Sequence, residues 1–392
     1  MTPRPTSTAL GLGIGLAAAG AATAAGIAAD RLTKSRRRAL STLTPTGAYE
    51  HVADKELVVV ASDGVPLHVE VDEPDPGAAH PDHPTVVFCH GYTLSLKSWV
   101  LQRRALVQAG YRVVLWDQRS HGQSEQGSRE SSTIDQLGRD LHRVIEEAAP
   151  EGRLVLIGHS MGGMTVMSMA EQFPEVVRER VIAAAFVATS AGGRDMVSLG
   201  FGQLIGKLIG RVGPGVLDRL GTRQEWLSSV RHVGRDLEDF IVERYSFASP
   251  VAPAAVRYTG DMIFGTPFTV MSDFLPSIGE HDKQEALKHF HGIETLVVNG
   301  MQDLLTPPDH SEAIVNLVPG AEHVVINEAG HIIMLEHPEV ITGLFLSLVE
   351  RGLRAAEEGI HIERKPRVRR TLTDLAKRRR VARARQKDRD AS

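Results

Sequence analysis

The clearest chemistry in this chain of 392 residues lies in Gly158-His159-Ser160-Met161-Gly162-Gly163. The apolar run Leu154-Val155-Leu156-Ile157 precedes it and a helical pattern, Met164–Gln172, follows. The spacing predicts a strand, a tight turn of form Gly-x-Ser-x-Gly, and a helix. On such a turn the serine sits in strained backbone with its hydroxyl projecting above the sheet, and small residues on either side make room for crowded neighbours. The helix start adds N–H groups without intrahelical partners and a dipole that favours negative charge. A hydroxyl placed there can attack acyl groups, provided that a base takes its proton and a carboxylate orients the base.

Both helpers lie downstream, in the order serine, acid, histidine. Val297-Val298-Asn299-Gly300-Met301-Gln302-Asp303 places Asp303 in a loop past a late strand, and Val324-Val325-Ile326-Asn327-Glu328-Ala329-Gly330-His331 places His331 past the next. Both loops are expected at the same carboxyl edge of the sheet as Ser160, where sites in open α/β sheets form. Asp195, beyond the run Val181–Ala188, is the reserve acid. His310, His323 and His337 lack the Gly-His loop setting. An oxyanion hole needs two backbone donors. Met161 supplies one, and Tyr92 in His90-Gly91-Tyr92-Thr93 is the choice for the other, a pocket wall being its alternative role. Cys89 is the one cysteine, so an intramolecular disulfide and a multi-cysteine metal site are excluded, and it reads as a small core residue. His90, His121 and His159 read as local hydrogen-bonding residues. With no metal-ligand spacing and no phosphate-cradling loop, neither metal nor cofactor is expected.

The elements that must position these groups alternate. Leu57–Ala61 and Leu67–Val71 read as a hairpin; strands follow at Thr85–Cys89, Arg112–Trp116, Arg153–Ile157, Val181–Ala188, Thr295–Asn299 and His323–Asn327. Helical stretches near 97–109, 133–148, 162–172, 309–317 and 338–356 separate most of them. Continuous apolar strands between helices indicate a mostly parallel sheet covered on both faces. The alternation breaks at 191–290, read as an inserted helical cap with Phe201, Leu204, Ile205, Leu208, Ile209 and Val212 on one face. The core then comprises 41–190 and 291–358.

Composition bounds the class. Hydrophobic residues make 42% and charged residues 23%, as in a globular protein. The net charge of −4 conceals a segregation. Residues 1–40 hold six basic and one acidic residue, 361–392 hold thirteen and four, and the stretch between has 25 basic against 43 acidic. An acidic globule with 5% aromatics does not suit nucleic acid, whereas basic flanks suit an anionic membrane or an acidic partner. Within 1–40 no charge interrupts the Gly/Ala-rich run between Arg4 and Asp30. It is long enough for a membrane anchor, and a signal peptide or a flexible leader are the alternatives. Positive charge follows the run at Arg31, Lys34, Arg36, Arg37 and Arg38, which puts the downstream domain on the cytoplasmic side; export is the alternative. The basic segment 359–392 reads as a frayed charged tail, or as a segment that docks on anionic lipid.

Together these motifs resemble the α/β-hydrolase superfamily: His90-Gly91, Asp117-Gln118-Arg119-Ser120-His121-Gly122-Gln123-Ser124, Gly158-His159-Ser160-Met161-Gly162-Gly163, Asp303 and Gly330-His331, over about 56–355. The chain is similar to its serine esterase and lipase branch, including monoacylglycerol-lipase-like and perhydrolase-like enzymes. The resemblance implies an α/β-hydrolase fold with a cap and a triad of Ser160, Asp303 and His331. Relatives commonly carry Gly where this chain has Ser120, so a local backbone adjustment is expected there. A serine at 160, rather than an aspartate, disfavours the dehalogenase and epoxide-hydrolase branches. The expected activity is cleavage of small-molecule or lipid esters with apolar acyl chains, through an acyl-enzyme on Ser160. A perhydrolase or acyltransferase would use the same residues with another acceptor, and a catalytically silent receptor would use the pocket alone.

Overall fold

The computed structural model describes residues 40–43, 47–193, 238–360, 362 and 366–390. The Gly/Ala-rich run, the apolar stripe from Phe201 to Val212 and Asp195 lie outside the described residues. One compact unit is formed by Thr46–Ser249 and Ala255–Asp374. Its sheet has nine strands in the order β1-β2-β4-β3-β5-β6-β7-β8-β9. They are β1 (Lys55–Val60), β2 (Pro66–Asp72), β3 (Thr85–Cys89), β4 (Val113–Trp116), β5 (Leu154–His159), β6 (Val181–Val187), β7 (Glu294–Gly300), β8 (Glu322–Ile326) and β9 (Val368–Leu372). Strand β2 runs antiparallel to β1 and β4, and every other pairing is parallel.

The helices are α1 (Val100–Gln108), α2 (Ile134–Ala148), α3 (Met161–Gln172), α4 (Pro174–Arg180), α5 (Pro253–Gly265), α6 (Phe268–Gly279), α7 (Pro308–Leu317), α8 (Ile333–Glu336) and α9 (Pro338–Glu358). Strands β3, β4, β5 and β7 are buried at every position, which explains why they read as unbroken apolar runs. Between β6 and β7 the described residues are helical at 238–246, α5 and α6, as expected of a cap. Parallel order fixes the site's location. The carboxyl ends of β3, β5, β7 and β8 share one edge, and β3 lies between β4 and β5, so the loops after β3 and β5 part there and open a crevice.

The basic C-terminal segment departs from expectation. The residues read as a frayed tail supply the ninth strand, which pairs in register with β8 from Glu322↔Val368 to Ile326↔Leu372. The sheet domain therefore extends past 358 to Asp374. The second unit, in its described residues, holds a turn of 3-10 helix at Ser41–Leu43 and the helix α10 (Leu375–Asp390). Helix α10 exposes Arg378, Arg379, Arg380, Arg383, Arg385 and Lys387. Among the described residues no helix is long and apolar enough to cross a membrane.

Ion pairs tie the hairpin to the core. Buried Arg103 donates Nε–H to Asp72 Oδ2 at 2.6 Å and pairs with Glu70. Burial alone would raise the Glu70 carboxyl, but hydrogen bonds from His68 and Arg103 and the Arg103 charge outweigh it and hold it at about 2, against an ordinary 4.5. Because the folded value is the lower one, this stabilisation is complete above pH 4.5 and is lost as pH falls through about 2. The shift corresponds to about 3 kcal/mol, or about 2 kcal/mol after solvent screening at its open side. Glu70→Gln is accordingly expected to lower the urea midpoint at pH 7 and to flatten its decline between pH 5 and 2, followed by circular dichroism.

Candidate active site

Ser160 follows β5 directly and precedes the first residue of α3, with φ 51° and ψ −120°. That conformation is rare for a residue with a Cβ and is held here from both sides. The Ser160 N–H donates to the Val187 carbonyl at 3.0 Å, and the Ser160 carbonyl accepts from Thr189 Oγ at 2.6 Å. The flanking glycines are there for space. A Cβ on Gly158 would lie 2.5 Å from the Gly162 carbonyl oxygen, and one on Gly162 would lie 2.2 Å from that of Cys89. Strand β3, strand β5 and helix α3 thus meet backbone to backbone at the serine.

Asp303 lies in the loop after β7 and His331 in the loop after β8. His331 Nδ1–H donates to Asp303 Oδ2 at 2.8 Å, which leaves Nε2 as the ring's basic nitrogen. Asp303 is buried and also accepts the Leu305 and Thr306 amides at 2.8 and 3.0 Å and the Thr306 hydroxyl at 2.9 Å. Burial alone would raise its carboxyl, yet the charge and hydrogen bond of His331 and the two amides together hold it below the usual range. The carboxylate is therefore ionised at neutral pH. His331 is brought to the serine through the backbone. Its carbonyl accepts from His159 Nε2–H at 3.0 Å, and the two imidazoles stand 4.8 Å apart. The structure thus gathers Ser160, Asp303 and His331 at one edge.

The loop after β3 passes over the same point. A Cβ on Gly91 would lie 2.5 Å from His159 Nδ1 and 3.3 Å from Ser160 Cβ, so only glycine fits between this loop and the serine turn. The loop is fixed from beneath. His90 Nε2 accepts the Gln118 amide N–H at 2.9 Å, which leaves Nδ1–H to donate to the Gly91 carbonyl at 2.8 Å. Gln118 Nε2–H donates to the His90 carbonyl at 2.6 Å, while its Oε1 accepts from Thr165 on α3 at 2.6 Å. Burial holds His159 down to about 3 and His121 to about 4, and keeps His90 well below its ordinary value. These three rings are neutral scaffolding.

Tyr92 follows Gly91 and Met161 follows Ser160, and their side chains share one apolar cluster with Met164, Leu137 and the cap residues Val270 and Phe274. The Tyr92 hydroxyl donates to the Met271 carbonyl of α6. Met161 is the first residue of α3, so helix geometry gives its N–H no intrahelical acceptor.

Other sequence readings find their places. His310 Nδ1 meets Ser190 Oγ at 2.9 Å, His323 Nε2 meets Asn299 Oδ1 at 3.0 Å, and His337 pairs with Asp374. Burial pushes the Cys89 thiol up to about 12, as fits a core residue. Ser120 adopts φ 65°, the left-handed backbone that a glycine would take without strain, and its hydroxyl accepts the Gly127 amide at 3.0 Å. Among the described residues no group of three or more His, Cys, Asp or Glu could hold a metal. A cavity of about 540 Å³ near Val181, Ile293 and Gly352 opens where β6 and β7 begin, the edge opposite Ser160.

Glu336 was not legible as a site residue. It is buried and accepts the Gly330 amide at 2.7 Å, the Ala248 amide at 2.9 Å and the Ser249 hydroxyl at 2.7 Å, and so joins the His331 loop to the returning cap segment. Its one signal is a lone carboxylate ending the apolar run Ile332-Ile333-Met334-Leu335.

A doubly wound sheet carrying a serine elbow at its switch point defines a class, and the family comparison agrees with it. The family model described as alpha/beta hydrolase fold matches residues 84–205 and 231–338, and the chain belongs to the α/β-hydrolase superfamily. It is 24% identical over 278 residues to a probable esterase, PIR7A, of Oryza sativa subsp. indica, covering 68% of this chain and 96% of that one. A thermophilic esterase from Thermogutta terrifontis superposes with a TM-score of 0.58 at 21% identity, covering 76% of this chain and 99% of its own. A bromoperoxidase from Bacillus anthracis gives a TM-score of 0.58 at 20% identity, with coverages of 76% and 100%.

Proposed function

We propose that this protein is a serine hydrolase that cleaves carboxylic esters with apolar acyl chains. The observation that carries the reading is the 2.8 Å bond from His331 Nδ1 to buried Asp303, on a loop fastened to the residue beside Ser160. Ser160 Oγ attacks the ester carbonyl carbon while His331 Nε2 takes its proton. The Tyr92 and Met161 amides stabilise the oxyanion, and the protonated His331 gives its proton to the leaving alkoxide. Water activated by His331 then attacks the acyl-enzyme, and Ser160 recovers its proton. The similarity to a rice protein named as a probable esterase supports this chemistry.

The apolar cluster around Tyr92, Met161 and Phe274 supports an apolar acyl group. Burial of one CH2 contributes about 0.8 kcal/mol, or about fourfold in kcat/KM. Over p-nitrophenyl esters from acetyl to palmitoyl, kcat/KM is expected to rise by up to this factor per CH2 until the pocket is filled. Phe274→Ala, which deletes a buried ring from the cluster that holds Tyr92 and Met161, is expected to move the optimum to longer chains. A flat profile, or one confined to acetyl and butyryl, overturns the apolar assignment. Competing acceptors separate the related reading: a peracid formed from ester and hydrogen peroxide, in preference to the free acid, identifies a perhydrolase.

The cationic exposed face of α10 supports association with an anionic membrane, with the catalytic domain on the cytoplasmic side. Sedimentation with vesicles containing phosphatidylserine, lost at high salt and absent with phosphatidylcholine alone, is the expected behaviour.

A further inference from the structure

We propose that the C-terminal strand β9 and Asp374 act as a latch that positions His331, with His337 and Asp374 as positioning residues. The inference rests on the reading of His331 as the general base. His331 lies midway along residues 327–337, and both ends of this segment are fastened to residues 372–374. At the first end the Asn327 amide donates to the Leu372 carbonyl at 2.8 Å, and Asn327 Nδ2–H donates to Thr373 Oγ at 3.0 Å. At the other end His337 Nδ1 meets Asp374 Oδ2 at 3.2 Å, and Nε2 meets the Glu328 carbonyl at 3.0 Å. One imidazole thereby closes the segment on itself and ties it to β9. His337 and Asp374 are both buried, so water does not compete for these bonds.

The segment between the ties is under strain. Glu328 takes φ 57°, a conformation that persists where its surroundings impose it. Its own carbonyl is the one that His337 holds. Within the ring, Glu336 accepts the Gly330 amide, and the Gln302 amide donates to the Ala329 carbonyl at 3.0 Å, which extends the restraint to the loop of Asp303. The family match ends at residue 338, before Asp374.

Asp374→Ala removes the acceptor without touching any residue placed against substrate. The expected result on p-nitrophenyl butyrate is a fall in kcat of about tenfold with KM within about twofold, the pattern of a displaced base. Asp374→Asn keeps an oxygen for His337 and is expected to recover kcat to within about threefold of the parent. Amide hydrogen exchange over 327–337 in the full chain is expected to quicken at least about tenfold in Asp374→Ala, with β3 and β5 unchanged. Where Asp374→Ala does not fold, His337→Gln is read by the same measurements. A lower Tm with parental kcat at 25 °C marks a merely structural bond and overturns the latch, as does parental exchange over 327–337. The exchange arm needs no turnover: a parent without Ser160-dependent hydrolysis overturns the ester reading, whereas unaltered exchange overturns the latch.

Discussion

Ser160→Ala is expected to lower kcat on p-nitrophenyl esters by about three to six orders of magnitude, equivalent to about 4–8 kcal/mol of barrier. In the proposed mechanism the hydroxyl oxygen is the atom that becomes covalently bound, so no neighbour can replace it. Remaining turnover would come from the oxyanion donors and from bound water. Stability is expected to stay within about 0.5 kcal/mol of the parent. The bonds that fix the serine run through its backbone, to Val187 and from Thr189, and alanine retains them. His331→Ala is expected to match the serine variant, and Asp303→Asn to fall by up to about four orders. Labelling by a fluorophosphonate supplies a readout independent of substrate choice: the parent reacts and Ser160→Ala does not. Near-parental hydrolysis by Ser160→Ala sinks the mechanism.

The largest stability effect is expected at Arg119. Its guanidinium is fully buried and donates to Asp140 from Nε at 2.6 Å and from Nη2 at 2.7 Å. The outer nitrogens reach Asp63 at 2.7 and 2.9 Å, and Nη1 reaches Ser131 Oγ at 2.8 Å. This one side chain binds the loop after β4 to helix α2 and to the β1–β2 turn. Removing one partner of a buried pair strands the other, at about 3–5 kcal/mol. Arg119→Leu is therefore expected to lose about that much in urea denaturation. Arg119→Lys should lose less, because an ammonium keeps the charge without the fork. Burial already raises the Asp140 carboxyl despite the arginine. Joint replacement of Arg119 and Asp140 by leucine should accordingly recover much of the loss, and the double-mutant cycle isolates the coupling. Additive losses would mean that the pair is not the source of the effect.

What could be read from the residues follows from where the stabilising contacts lie. Strands β3, β5 and β7 are buried throughout and mostly apolar because both faces of the sheet are covered, and Thr85–Cys89 was legible to the residue. The serine turn was legible because the spacing of its glycines is a local demand. Strand β9, Val368-Arg369-Arg370-Thr371-Leu372, resembles a loop by composition, and four of its five positions are exposed. Its place depends on β8 and on Glu312 and Glu322, which pair with Arg369 and Arg370. Helix α4, seven residues opened by Pro174, is too short for periodicity to disclose. The triad candidates stood out because each follows a strand. Glu336, His337 and Asp374 did not, since a carboxylate's role depends on amides and rings that only the folded chain brings near. At Ser120, where a local backbone adjustment is expected from the sequence, the residue instead takes the positive φ of a glycine.

The position of β9 also sets an order of events during translation. The strand that covers β8 is drawn from residues 368–372, so a nascent chain that has emerged only through α9 carries β8 as an open edge. Chains acquire structure from their N-terminal parts as the ribosome delivers them. This one passes through a stage with most of its sheet assembled and the outer backbone groups of Val324–Ile326 without their partner strand. An open edge is a template for pairing with a neighbouring chain on the same messenger. Residues 368–372 are thus the ones that close the window for co-translational misassembly.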